Sequence, residues 1–233
     1  MQIPLRQCLL AEMLGTALLV VFGTGAAVVE EQTHALGHGG VAAAFGLAVF
    51  LLIQTLGETS GAHLNPAVTV GFWARRRFAG SRVLPYVAAQ LLGAALGSGL
   101  VKLVALPGST LGATLPAHDA LSALGIETFL TFCLVLVIFR VTAGAKEAGL
   151  LAGLAISATV GLEALVGGPL TGASMNPARS LAPALLSGVH TAWWVYVVGP
   201  VAGALLAVVV DCLLPTPTVQ PAAAGPVGPP PAD

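Results

Sequence analysis

Charged residues are scarce in this sequence. Asp, Glu, Lys and Arg make up 8% of its 233 residues, whereas 56% are hydrophobic. A soluble globular domain carries about 25% charged residues, so the chain lacks the polar surface that would keep it dissolved in water. The composition therefore excludes an ordinary soluble protein and indicates a chain whose outer surface faces lipid.

Cysteine is also scarce. Cys8, Cys133 and Cys212 all lie in or beside hydrophobic stretches. An odd count, without a pair in a polar loop, argues against a disulfide framework.

His34 and His38 are interpreted as parts of a solvated loop rather than as metal ligands. No metal site and no cofactor are predicted.

Six hydrophobic stretches are long enough to cross a bilayer, for which about 18 apolar residues are needed. They comprise residues 8–29, 39–57, 83–106, 120–143, 148–167 and 192–214. The first is longer than the apolar core of a signal peptide and is interpreted as a retained span. The sequence predicts an all-α membrane protein with a membrane domain at residues 1–214. The proline-rich residues 215–233 predict a disordered tail.

Basic residues are concentrated in the segments that lie on one side of these spans. Most of the chain's nine basic residues belong to this set: Arg6, Arg75, Arg76, Arg77, Arg82, Arg140 and Lys146. The opposite segments carry Glu30, Glu31, Asp119 and the single basic residue Arg179. Positive charge accumulates in cytoplasmic loops, so the N- and C-termini are predicted to lie in the cytoplasm.

The chain contains only two asparagines, Asn65 and Asn176, and both occur in one repeated segment. SGAHLNPAVT at residues 60–69 corresponds to TGASMNPARS at residues 171–180. The repeat divides the chain into halves at about 8–106 and 120–214, each with three spans. Because three is odd, the second half must enter the membrane from the opposite side, which is an inverted-topology repeat.

Each Asn-Pro-Ala segment is too short to span a bilayer. Residues 65–73 extend about 13 Å as a helix, against roughly 30 Å of hydrocarbon. Asn is a favoured N-cap and Pro a favoured first helical residue. Two re-entrant half-helices are therefore predicted, entering from opposite sides and meeting N-terminus to N-terminus near the midplane.

This arrangement has electrostatic consequences. Each helix N-terminus carries about half a positive charge, so two facing tips would repel cations. We expect each asparagine to cap its helix through its oxygen and to leave its NH₂ group free for the lumen. The preceding loops would supply carbonyl acceptors to the passage. The predicted set is Gly61, Ala62, His63, Leu64, Gly172, Ser174 and Met175.

Glu12 and Glu127 occupy corresponding positions near the starts of spans in the two halves. An ionisable residue inside a membrane is a functional candidate, and a proton relay would suggest a coupled transporter. Alternatively, each carboxylate accepts hydrogen bonds from backbone N–H groups of one re-entrant loop. The second interpretation is favoured, because two symmetric loops need two symmetric acceptors.

These features resemble the major intrinsic protein family, the aquaporins and glycerol facilitators, over about residues 8–214. The resemblance implies an aquaporin-like fold with six transmembrane helices and two half-helices, a pore in each monomer, and assembly as a homotetramer in a cell membrane, plasma or inner. The motif residues are Asn65, Pro66, Ala67, Asn176, Pro177 and Ala178. By resemblance, the selectivity filter consists of Phe45, Ala164, Ala173 and Arg179.

This filter differs from two familiar patterns. Water-selective members typically have His at the position of Ala164 and a polar or thiol residue at that of Ala173. Glycerol facilitators typically have Trp for Phe45, an aromatic for Ala173, and Asp where this chain has Ser180. The tracts LAGLAISATVG and GASMNPARSL resemble the nodulin-26-like branch, which implies passage of glycerol, urea or uncharged metalloid hydroxides besides water.

Three functions remain to be compared. The first is a passive channel for water and small uncharged solutes that excludes protons and ions. The second is a coupled secondary transporter, which also uses inverted repeats. The third, an intramembrane enzyme, lacks a nucleophile–base pair in the spans, so no enzymatic activity is expected. The predicted partners are the lipid bilayer, water and small neutral solutes, without nucleic acid.

Two further carboxylates have open roles. Glu163 adjoins filter position Ala164, but consecutive helical residues point about 100° apart, so it is expected to face a neighbouring helix or subunit. A pH-sensing role is the alternative. Glu58 stands where many members of the family have His, so no gating role is carried over to it from the resemblance.

Overall fold

The computed structural model describes residues 3–143 and 149–215, which contain eight helices and no strand. They are α1 Leu5–Thr33, α2 Gly37–Ser60, α3 Pro66–Ala74, α4 Gly80–Val104, α5 Ala120–Val141, α6 Gly149–Thr171, α7 Pro177–Ser187 and α8 Val195–Leu213. Residues 216–233, where the sequence predicts a disordered tail, lie outside the described residues.

The six long helices are each long and apolar enough to cross a membrane, as predicted. Their outward faces carry large exposed hydrophobic side chains, among them Leu47, Leu84 and Leu121. Such a surface is unfavourable in water and compatible with lipid. Helices α1 and α2 extend beyond the predicted spans at both ends, whereas α5 and α8 lie within theirs. Hydropathy detects the apolar part of a helix and does not locate its ends.

Backbone contacts between helices make the internal repeat visible. Helix α1 packs against α4, and α5 packs against α8. At Gly93 of α4 an added Cβ would collide with the carbonyl of Met13, and at Gly203 of α8 it would collide with the carbonyl of Thr128. Small residues allow membrane helices to approach this closely. The same contact therefore holds each half together.

The two short helices end on opposite faces of the molecule. The C-terminal end of α3 lies at the start of α4, whereas that of α7 lies near its end, where Lys102 Nζ donates to the carbonyl of Leu186 at 2.7 Å. Since α4 crosses the protein between these points, the half-helices enter from opposite sides. The predicted inversion is confirmed.

A buried carboxylate anchors the C-terminal end of α3. Asp211 of α8 has a side chain that is 2% exposed, and it pairs with Arg75 Nε at 2.7 Å. Arg77 and Arg140 complete the cluster at 3.4 and 3.5 Å. A buried charge of this kind is tolerated only when it is paired and hydrogen-bonded. The cluster thus ties α3 to the ends of α5 and α8.

We predict opposite effects for two glycine substitutions in α4. Gly93→Ala places a methyl group against the Met13 carbonyl and should destabilise the protein by about 1–3 kcal/mol. At Gly99 an added Cβ meets nothing within 4 Å, so Gly99→Ala should leave stability unchanged or raise it by up to about 1 kcal/mol through helix propensity. Thermal unfolding in detergent compares the two. Equal midpoints would contradict the packing described.

Candidate functional site

Each half-helix begins at an asparagine in extended conformation. The Asn65 side-chain oxygen accepts from the backbone N–H of Ala67 at 2.8 Å. The Asn176 oxygen accepts from the N–H groups of Ala178 at 3.0 Å and Arg179 at 3.3 Å. A proline follows each asparagine as the first helical residue. Local sequence alone accounts for both helix starts.

The asparagine amides also bind across to the opposite half. Asn65 Nδ2 donates to the carbonyl of Met175 at 2.7 Å, and Asn176 Nδ2 donates to the carbonyl of Leu64 at 2.8 Å. Both carbonyl residues have left-handed backbone, with φ of 52° at Leu64 and 53° at Met175. The expectation of wholly free NH₂ groups was wrong, because one hydrogen of each joins the two loops.

A single cavity of about 590 Å³ passes both asparagines. Its volume is within the range of small-molecule sites. Arg77 and Phe78, which follow the C-terminal end of α3, also line it. The lining combines aliphatic side chains, including Val49, Ile156 and Val160, with residues of the two re-entrant loops. The passage therefore offers both apolar side chains and backbone polar groups.

Most residues of the predicted carbonyl set line this cavity. They are Gly61, Ala62, His63, Leu64, Ser174 and Met175. Gly172 is not among the lining residues, and its assignment to the set stays a prediction. Gly172 packs instead against Thr114 of the α4–α5 connection, where an added Cβ would lie 3.0 Å from the threonine methyl. Gly61 and Gly172 occupy corresponding positions in the repeat. Tertiary packing covers Gly172, whereas Gly61 lines the cavity.

The Pro and Ala residues of the motifs have a structural location. Pro66, Ala67, Pro177 and Ala178 are all buried in the first turns of α3 and α7. They are absent from the cavity lining, in contrast to the asparagines. Their position beneath the asparagines sets the direction of each half-helix and leaves the polar amides at the tip.

The four residues of the predicted filter, Phe45, Ala164, Ala173 and Arg179, all line this cavity. Arg179 is 4% exposed, and its Nη1 donates to the carbonyl of Gly112 at 2.8 Å. Its Cζ lies 5.0 Å from the centroid of the Phe45 ring, within cation–π range. The structure thus brings the four positions together from α2, α6, the second loop and α7.

Glu12 is the centre of the first loop's hydrogen bonds. Its Oε1 accepts from Ser60 Oγ at 2.7 Å and from the N–H of His63 at 2.9 Å. Its Oε2 accepts from the N–H of Leu64 and from Gln90 Nε2, both at 2.7 Å. A carboxylate can accept four such bonds. This geometry is that of a loop support and leaves no oxygen unpaired.

Glu127 makes the equivalent set of bonds in the second half. Its Oε1 accepts from Thr171 Oγ1 at 2.7 Å and from the N–H of Ser174 at 2.9 Å, and its Oε2 accepts from the N–H of Met175 at 2.8 Å. Irregular backbone at membrane depth requires such partners, because lipid offers none. The symmetric acceptors therefore match the interpretation favoured from sequence.

Several supporting residues were missed. Ser60 and Thr171 are the first residues of the two repeated decapeptides, and their hydroxyls bind the two glutamates. Tyr86 donates to the carbonyl of Ser60 at 3.0 Å, and Tyr196 donates to that of Thr171 at 2.9 Å. The chain has two tyrosines, one in each half of the repeat. This distribution could have identified them as supporting residues from the sequence.

His63 holds the first loop through its ring as well as its backbone. Nδ1 lies 3.1 Å from Thr69 Oγ1, and the ring stacks on Phe72 at 4.7 Å between centroids. In the second half Ser174 takes the place of His63, and its hydroxyl hydrogen-bonds that of Ser180.

The two carboxylates of open role differ in location. Glu58 lines the cavity. Glu163 is 6% exposed and does not line it, which agrees with an orientation away from the lumen. Both Glu163 carboxyl oxygens are buried without a hydrogen-bond partner within the described residues. Glu163 therefore differs from Glu12 and Glu127, whose carboxyl oxygens all accept at least one hydrogen bond.

Comparison with known proteins gives consistent matches. The sequence pattern described as "Major intrinsic protein" matches residues 2–211. Aquaporin NIP1-1 of Oryza sativa subsp. japonica is 43% identical over 210 residues, which cover 87% of this chain and 72% of that protein. Nodulin-26 of Glycine max is 41% identical over 205 residues, covering 87% and 76%.

A solved structure matches along nearly the whole fold. The X-ray structure of the aquaglyceroporin from Plasmodium falciparum aligns with a TM-score of 0.75 and 29% identity, and the match covers 88% of this chain and 94% of that one. The arrangement of six long and two short helices is therefore similar in the two proteins.

We predict that Glu12→Gln is strongly destabilising, because an amide offers one acceptor oxygen and turns an NH₂ donor toward N–H groups. Each buried donor left without a partner costs about 1–3 kcal/mol. Glu163→Gln is the matched control, since its carboxyl oxygens accept no bond among the described residues. Thermal unfolding and size-exclusion profiles of the purified variants compare them. Equal losses would contradict the support assigned to Glu12.

Proposed function

The chain belongs to the major intrinsic protein family and is a membrane channel for water and small solutes such as glycerol; on this premise we propose how its residues select among solutes. The cavity that is lined by Asn65, Asn176 and Arg179 carries the proposal. A solute would exchange its water contacts for the loop carbonyls and asparagine amides while its apolar atoms contact the aliphatic side chains of the lining.

The filter is assigned to Phe45, Ala164, Ala173 and Arg179, which all line the cavity. Two of the four carry only a methyl group and a third, Phe45, is an apolar ring, which supports a wide and mostly apolar throat. This favours small neutral molecules larger than water, including glycerol, urea and uncharged metalloid hydroxides. The similarity to an aquaglyceroporin supports glycerol as a member of this solute class.

Exclusion of ions and protons is assigned to positive potential along the passage. The N-termini of α3 and α7 face each other at the asparagines, and each contributes about half a positive charge. Arg179 adds a full charge at the throat. In aquaporin-type channels such half-helix dipoles and an arginine form the barrier to cations and protons. The passive mechanism needs no coupling ion, and Glu12 and Glu127 are occupied as loop supports.

We place the protein in a cell membrane, plasma or inner, as a homotetramer with both termini in the cytoplasm. The apolar outer faces of the six long helices support residence in lipid. The cluster of Arg75, Arg77 and Arg140 at one end of the molecule supports the orientation, because basic residues accumulate on the cytoplasmic side.

Narrowing the throat should change solute preference. Ala164→His combined with Ala173→Thr should lower glycerol permeability about tenfold while water permeability falls much less, since a tenfold change needs only about 1.4 kcal/mol of added barrier. Stopped-flow light scattering of proteoliposomes measures water, glycerol, urea and boric acid side by side.

Ala152→Thr is the control for this experiment, because Ala152 lines the same cavity away from the throat. Its glycerol-to-water ratio should equal that of the parent protein. A parallel loss of water and glycerol in the double variant would place the throat elsewhere.

Removing the charge at the throat should weaken ion exclusion. Arg179→Val should raise proton or cation leak about tenfold or more, through loss of the positive potential in a low-dielectric site. Arg179→Lys keeps the charge and should leave the leak low. Proton flux into proteoliposomes under an imposed potential, read with an internal pH dye, measures both. A Val variant as tight as the parent would remove Arg179 from this role.

A further inference from the structure

The Phe45 ring rests against the backbone of helix α1. An added Cβ at Gly23 would lie 2.5 Å from Phe45 Cδ1 and 2.7 Å from Cζ, and it would overlap Cε1 as well. Carbon atoms make favourable contact only at about 3.5–4.0 Å. The ring therefore occupies space that exists only because residue 23 has no side chain.

The ring has one direction in which it can move away from α1. Phe45 is 9% exposed, and it borders the cavity with Arg179 placed over its ring at 5.0 Å. Just behind it, α2 crosses α6 in backbone contact, where an added Cβ on Gly46 would lie 3.0 Å from the carbonyl of Ser157. Helix α2 cannot retreat as a body, so displacement of the ring leads into the throat.

The same turn of α1 also supports the arginine side of the filter. Gly112, whose carbonyl accepts the bond from Arg179, has a φ of +67°. An added Cβ there would lie 2.9 Å from Thr24 Cβ and 3.1 Å from the Thr24 carbonyl oxygen. Two consecutive residues of α1 thus contact the filter region. Gly23 packs against the Phe45 ring, and Thr24 packs against Gly112, whose carbonyl accepts the bond from Arg179.

We propose that Gly23 is a specificity-determining position of the channel: it sets the width of the throat by seating the Phe45 ring against α1. Gly23 does not line the cavity itself and acts through Phe45 as a positioning residue. The proposal rests on the assignment of Phe45 to the filter. A larger residue at position 23 narrows the passage from behind without any change in the four filter residues.

The test compares solute selectivity rather than total activity. Gly23→Ala should lower the glycerol-to-water permeability ratio roughly tenfold in proteoliposomes, because the ring must shift by about 1 Å into the throat. Gly25→Ala, in the same helix, is the matched control. An added Cβ at Gly25 meets only Val101 Cγ2 at an ordinary 3.7 Å, so its ratio should equal the parent's.

A second-site variant separates positioning from misfolding. Gly23→Ala combined with Phe45→Leu gives the added methyl group room, so the glycerol-to-water ratio should return toward or above that of the parent. A ratio unchanged in Gly23→Ala, or a loss of selectivity that Phe45→Leu does not reverse, would overturn the proposal. If Gly23→Ala fails to yield monodisperse protein, the double variant is the deciding measurement. Recovery of folded, glycerol-permeable protein supports the proposed contact between Gly23 and Phe45. Failure to recover it overturns the proposal.

Phe45→Ala distinguishes failure of this inference from failure of the proposed function. If Phe45→Ala raises the glycerol-to-water ratio while Gly23→Ala leaves it unchanged, Phe45 belongs to the filter and Gly23 does not position it. If Phe45→Ala also leaves the ratio unchanged, the filter assignment itself fails, and the inference falls with it.

Discussion

The structure depends on a reciprocal contact between two asparagine side chains and two loops. Asn65 and Asn176 each use the oxygen to cap their own half-helix and the nitrogen to bind the loop carbonyl of the other half. Neither half can place its tip without the other. The contact therefore aligns two helix N-termini at the centre of the protein, where their dipoles would otherwise repel each other.

This contact requires irregular backbone at membrane depth, and two carboxylates make that backbone possible. Glu12 and Glu127 bind the N–H groups of the residues just before the asparagines. The loop carbonyls are left to face the cavity or the opposite amide. Donors are thus satisfied inside the protein and acceptors are offered to the passage, so the hydrogen-bond needs of the fold and the chemistry of the channel are met by one arrangement.

The proposed selectivity also depends on residues that solutes would not touch. In the filter that we propose, Phe45 packs against α1 at Gly23, and Arg179 donates to the carbonyl of Gly112 in the α4–α5 connection. A channel of this kind can change its solute range by substitutions that leave every pore-lining residue in place. The two alanines of the throat make its width especially dependent on the ring position.

Local chemistry in the sequence was sufficient for the spans, the inverted repeat and the helix starts at Asn65 and Asn176, because hydropathy, capping and a repeated decapeptide act over short distances. The filter positions were reached by resemblance and not by spacing. Only the tertiary structure decided that the amides cross to Leu64 and Met175, that Gly172 is covered by Thr114, and that Gly112 binds Arg179. These contacts join segments far apart in the chain, and no local pattern encodes which carbonyl a distant donor will meet.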